Sequence, residues 1–213
     1  MNESLAKILE KTKPARLVIA SKYASASELK ALAALKLLEF GENQVQALCQ
    51  KQQELANLRL SWHFIGTLQS NKINALIRAR PSLWQSCNSL KLALAVNQRL
   101  DYELDTLLEL NSAAEASKSG LGLDEVVETY LQIKELCPRL RLCGVMSIGA
   151  HSDDERLVAK SFEATYRIFE RLQKEGASIC SMGISDDYEL ALKNGSNMLR
   201  LGSVIFEALR ARR

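Results

Sequence analysis

The strongest constraint on this chain is an alternation. From residue 3 onward, short apolar runs of strand character are followed by amphipathic runs of helical spacing, and the pair recurs eight times. Expected strands lie at about 17–21, 37–40, 62–65, 83–87, 106–110, 142–148, 178–182 and 197–201. An opening helix is expected over 3–11, and further helices from Ser25 or Ser27 to about 36, then over 44–58, 71–79, 89–100, 123–136, 153–174 and 186–194, with a final helix after the last strand. Strands that are nearly continuous in apolar residues belong to a parallel sheet covered by helices on its outer face. Eight units favour a closed (β/α)8 barrel over an open doubly wound sheet.

Local signals agree with that reading. Pro14 and Pro81 stand at boundaries, Ser25 or Ser27 and Ser89 suit helix N-caps, and Gly176 follows the longest helix as a C-terminal glycine. No Gly/Ser/Pro-rich linker and no repeat interrupts the series. Residues 1–213 are therefore expected to form a single barrel domain, compact for this fold, with nothing left over for a second one.

Composition narrows the function. With 47% hydrophobic and 25% charged residues the chain reads as a soluble globular protein. A net charge of +3 does not suggest nucleic acid, and the basic cluster Arg210, Arg212, Arg213 reads as a solvated helix end. The cysteines Cys49, Cys87, Cys137, Cys143 and Cys180 show no CxxC spacing, and only two histidines are present, so neither a metal site nor a disulfide framework is expected. Cys87, Cys143 and Cys180 lie in apolar runs and are expected as buried free thiols, which fits a reducing cytoplasm. The N-terminus has no apolar signal region and no stretch approaches the ~18 apolar residues of a membrane span.

In a (β/α)8 barrel the site is built at the C-terminal ends of the strands. Here those ends carry Lys22, Gly41-Glu42-Asn43, Gly66, Asn111, Gly149, Gly183-Ile184-Ser185 and Gly202-Ser203. Lys22 could be a carbonyl-directed nucleophile made reactive by partial burial, or an ordinary loop lysine. Met182 to Asp187 and Leu201-Gly202-Ser203 fit the phosphate loops after strands 7 and 8; Ser185 is equally readable as the N-cap of the helix that follows it. Arg200, two residues before Gly202, has the alternation to enter the barrel and needs an acceptor there, a carboxylate of the protein or a ring nitrogen of a ligand. His63 alone reads as a hydrogen-bonded core residue rather than a catalyst. The turn Gln69-Ser70-Asn71-Lys72 reads as a helix cap, and Glu115 to Gly120 as a polar loop.

Together these segments resemble the YggS/PROSC family of pyridoxal 5′-phosphate (PLP) homeostasis proteins. The resemblance is carried by Ile19-Ala20-Ser21-Lys22, by Phe40-Gly41-Glu42-Asn43, and by the run from Trp62 to Lys72 (WHFIGTLQSNK). Ser117-Lys118-Ser119-Gly120, Ser181 to Asp187 (SMGISDD) and Arg200 to Phe206 complete it, in order and over nearly the whole chain. It implies a barrel like the N-terminal domain of alanine racemase, with PLP held as an internal aldimine on Lys22. Ser185, Gly202 and Ser203 would hold the phosphate, and Arg200 would face the pyridine nitrogen. Asn43, His63 and Met182 would border the cofactor, and Lys118 would stand on a loop able to meet its exposed side. The chain departs from the family pattern at Tyr23-Ala24-Ser25, where many members have Thr-Lys-Pro, at Glu207 in place of glycine, and at Ser203 in place of threonine.

The resemblance implies vitamin B6 and amino-acid homeostasis, with apo PLP-dependent enzymes as recipients, no catalytic residues and no metal. An arginine at the pyridine nitrogen weakens the ring as an electron sink. The tyrosine that alanine racemase takes from a second domain has no clear counterpart, with Tyr23 and Tyr188 left as candidates. A PLP-dependent racemase-like enzyme is the alternative, and a phosphosugar barrel enzyme without PLP is a third reading. A monomer is expected.

Overall fold

The computed structural model describes residues 3–113 and 119–211. Helix α1 (Glu3–Thr12) precedes β1 (Arg16–Ala20). There follow α2 (Ala26–Ala34), β2 (Glu39–Glu42), α3 (Val45–Glu54), β3 (Ser61–Phe64), a 3₁₀ turn (Ser70–Lys72) and α4 (Ile73–Ala79). The second half runs β4 (Leu83–Cys87), α5 (Leu90–Asn97), β5 (Leu104–Leu110), α6 (Val126–Leu136), β6 (Leu140–Ser147), α7 (Glu155–Gln173), β7 (Ile179–Ser181), α8 (Tyr188–Lys193), β8 (Met198–Leu201) and α9 (Ser203–Arg210). The eight strands close in sequence order into a barrel, every neighbouring pair parallel, with β8 returning to β1.

Among the described residues, three helix starts carry side-chain caps. Ser25 makes a capping box with Glu28, and Ser89 and Asp154 accept from backbone N–H groups in the first turns of α5 and α7. Strand β2 begins two residues later than the apolar run suggests. α2 ends at Ala34, Lys36 takes a left-handed conformation (φ 67°), and the Leu37 N–H bonds back to the Leu32 carbonyl. Leu37 and Leu38 are thus spent in closing the helix. α6 starts at Val126 rather than 123, because the Glu125 N–H first closes a turn on the Gly122 carbonyl.

The core has two parts. Between barrel and helices lies a shell that includes Phe40, Phe64, Trp84, Tyr130 and Phe162. Inside the barrel Val18, Leu83, Leu107, Met146 and Met198 form a separate, smaller apolar layer. The barrel interior is otherwise polar, with His63, Gln85, Ser181 and Arg200 buried in it. That departs from the branched aliphatic layers usual in such barrels and shifts the strand-end chemistry inward. Cys87 and Cys180 are buried as expected, their thiols pushed up to about 12 by burial, whereas Cys143 is only half-buried. Among the described residues no helix is long and apolar enough to cross a membrane, and no cluster of His, Cys, Asp or Glu is arranged to hold a metal ion.

Candidate functional site at the barrel mouth

The seam where β8 meets β1 brings the expected anion loop to the expected amine. Val18 pairs with Arg200 and Ile19 with Leu201, so the loop after β8 lies beside the end of β1. At Gly202 a Cβ would stand 3.0 Å from the Ala20 carbonyl oxygen, which leaves little room for a side chain and keeps the backbone close. Lys22 follows two residues after Ala20. It is exposed rather than partly buried, and its Nζ lies 4.8 Å from the centroid of the Tyr23 ring.

Ser185 does not cap the helix that follows it. Its Oγ accepts from the Gly202 N–H (3.1 Å) and the Val204 N–H (3.4 Å), tying the β7 loop to the start of α9. The Ile184 N–H goes instead to Asp187 Oδ1 at 2.7 Å. A hydroxyl has two acceptor lone pairs and one hydrogen. With both lone pairs engaged by N–H groups, the Ser185 hydrogen is left for a further acceptor. Ser203 is exposed as the first residue of α9, where the helix dipole favours negative charge. Ser185, Gly202 and the start of α9 are thus brought together, with Ser203 exposed beside them.

Arg200 is buried in the barrel interior. Its acceptors among the described protein groups are Ser181 Oγ (2.6 Å) and the Ser147 carbonyl (2.8 Å) rather than a carboxylate. Burial lowers its pKa to about 10, so it stays cationic at neutral pH. Ser181 in turn donates to Gln85 Oε1 at 2.8 Å, and Gln85 Nε2 lies 3.0 Å from His63 Nδ1. His63 Nε2 lies 3.3 Å from Glu39, without hydrogen-bond alignment, and Glu39 pairs with Arg16 at 2.8 Å. A polar column therefore runs through the barrel from Arg16 at its base to Arg200 near its mouth. It meets the guanidinium through Ser181 Oγ.

The remaining expected residues divide. Asn43 is exposed at the end of β2, with its carbonyl packed against Gly66, where a Cβ would lie 2.0 Å away. His63 is fully buried within the column. The Met182 side chain lies in the shell beneath the helices rather than in the barrel interior, so only its backbone stands at the strand end. Lys118 lies outside the described residues. One residue was missed in the sequence, Glu109 on β5. It is 4% exposed, its Oε1 accepts from Ser119 Oγ, and its Oε2 has no hydrogen-bond partner among the described residues. Burial pushes its carboxyl above the ordinary range, with Arg200 and Ser119 opposing. The signal was an acidic residue among the leucines Leu107, Leu108 and Leu110, on the same alternation as Leu107.

Comparison with known proteins bears on the family and the fold. Residues 2–209 match the family model described as the alanine racemase N-terminal domain. A Helicobacter pylori (strain J99) protein named pyridoxal phosphate homeostasis protein is 48% identical over 195 residues, covering 90% of this chain and 87% of that protein. The structure of PipY from Synechococcus elongatus with PLP bound superposes with a TM-score of 0.86 at 25% identity, covering 96% of this chain and 98% of that one. An alanine racemase from Clostridium difficile superposes with a TM-score of 0.79 at 15% identity, covering 96% of this chain and 56% of the racemase, a likeness of fold alone.

Proposed function

The chain belongs to the alanine racemase N-terminal domain family and, within it, to the pyridoxal phosphate homeostasis proteins; from that premise we propose that it binds PLP at the barrel mouth and serves PLP homeostasis without catalysis. The observation that carries this reading is the β8–β1 seam. There an exposed lysine stands two residues beyond a carbonyl against which the anion cradle is packed. An aldehyde and a phosphate on one small ring need those two partners close together.

Each residue then has a physical task. The Ser185 hydroxyl and the start of α9 receive the phosphate, with Gly202 and Ser203 lining the cradle. Lys22 Nζ would hold the aldehyde end, and the aldehyde would supply reversible amine chemistry there. Asn43 borders the ring at the end of β2. His63 acts from within the column, and the Met182 backbone helps to close the strand-end rim. The aldehyde group is what PLP brings to amine chemistry; this chain fixes where that group is held. Reversible condensation allows both protection and release, so apo PLP-dependent enzymes are fitting recipients and the cytoplasm a fitting location.

Arg200 argues for a carrier over a racemase. A cationic guanidinium donates and cannot accept, so it opposes protonation of a pyridine nitrogen set against it and weakens the ring as an electron sink. Neither candidate tyrosine supplies an opposing acid or base. Tyr23 is 84% exposed and lies against the Lys22 ammonium itself. Tyr188 is buried against the shell, with its hydroxyl on Glu189. The test is incubation of the PLP-loaded protein with amino acids in deuterated water. The expected result is no deuterium at Cα beyond that produced by free PLP; protein-dependent exchange would restore the racemase reading.

A further inference from the structure

Below Lys22 lies a buried ion pair that the site described above does not use. Glu42, the last residue of β2, is 1% exposed, and the Lys51 side chain, rising from α3, is 12% exposed. Their Nζ–Oε1 distance is 2.5 Å. Lys51 Nζ also donates to the Ser21 carbonyl at 2.5 Å, and Ser21 Oγ donates to Glu42 Oε1 at 2.7 Å. The Ser21 N–H bonds to the Gly41 carbonyl at 2.9 Å. Every polar group of Ser21 is thus held, and the peptide fixed by Lys51 is the one whose nitrogen belongs to Lys22.

A buried ion pair is a poor device for stability alone, because desolvation offsets most of its attraction. Here both charged groups converge on one residue, buried Ser21, immediately before the amine-bearing lysine. We propose that Glu42 and Lys51 are positioning residues for Lys22, clamping the Ser21–Lys22 peptide so that the lysine leaves the barrel rim in the direction the aldehyde needs. This rests on the reading that Lys22 carries the cofactor. Among the described residues Glu42 and Lys51 hydrogen-bond to Ser21 and to each other and not to Ser185, Gly202 or Ser203, so loss of the clamp is expected to separate the two halves of binding.

The test compares PLP with pyridoxine 5′-phosphate, which has the same ring and phosphate but an alcohol in place of the aldehyde. The double variant Glu42→Gln/Lys51→Met removes both charges together, so neither is left buried alone. Attachment of PLP, followed by visible absorbance, is expected to slow or weaken roughly ten- to a hundredfold, the scale of a misplaced reacting group. Affinity for pyridoxine 5′-phosphate is expected to be unchanged. Equal effects on both ligands, or no effect on either, would overturn the proposal. Should the double variant not fold, Lys51→Arg keeps the charge but alters the donor geometry; it is expected to show the same selective loss, and behaviour like wild type or parallel losses would overturn the proposal. A wild-type protein that never attaches PLP at Lys22 would instead refute the functional reading on which this rests.

Discussion

Ser185 and Glu109 show how single residues carry the account. The Ser185 hydroxyl joins two backbone donors to the anion they would share, so Ser185→Ala removes one hydrogen bond to a charged group and frees the loop. Such a bond contributes about 1.5–3 kcal/mol. PLP and pyridoxine 5′-phosphate are both expected to bind roughly ten- to a hundredfold more weakly, which calorimetric titration would show. Glu109 acts through protons. Its folded carboxyl is raised above the ordinary value by burial. Its contribution to stability is therefore complete below the ordinary carboxylate pKa and is lost as pH rises through the raised value. Glu109→Gln cannot ionise, so its melting temperature without ligand is expected to exceed wild type at about pH 8, with the gap closing toward about pH 4. A constant gap at all pH values would contradict that origin.

At the scale of elements, strand geometry is set by backbone contacts that leave little trace in the sequence. Gly144 in β6 has φ +149°, and a Cβ there would stand 1.9 Å from the Ile179 carbonyl of β7. Gly144→Ala is expected to cost about 3 kcal/mol through strain and overpacking, lowering the thermal midpoint by roughly 6–12 °C. A midpoint unchanged from wild type would show that the strand relaxes. The order and type of the elements were legible because apolar continuity and capping residues such as Ser25 and Ser89 are local signals. Boundaries such as the start of β2 were less so, since they depend on how Lys36 turns the chain. The site was partly legible. Lys22, Ser185, Arg200 and Gly202 could be placed at strand ends by counting. What could not be read was that Ser185 would reach across to the start of α9, or that Arg200 would rest on Ser181 and Ser147, because those contacts join strands distant in sequence. Nor could the sequence show that the Met182 side chain faces the shell, since one residue of register decides it.

For the molecule as a whole, closure of the barrel removes every free sheet edge, which takes away one common route to association. The exposed large apolar residues include Tyr23 and Ile184 near the mouth and Leu131, Leu136 and Leu157 on the helical surface. A monomer is expected by sedimentation with and without PLP, and a stable dimer would point to one of those surfaces. On the proposed reading, the polar column from Arg16 to Arg200, the anion cradle and the Lys51 clamp together let one barrel hold a small aldehyde phosphate. That claim depends on one nitrogen atom. The most direct measurement is borohydride reduction of the protein incubated with PLP, followed by peptide mass mapping. The account predicts a single pyridoxyl group, on Lys22. Label absent, or spread over the surface lysines, would contradict it.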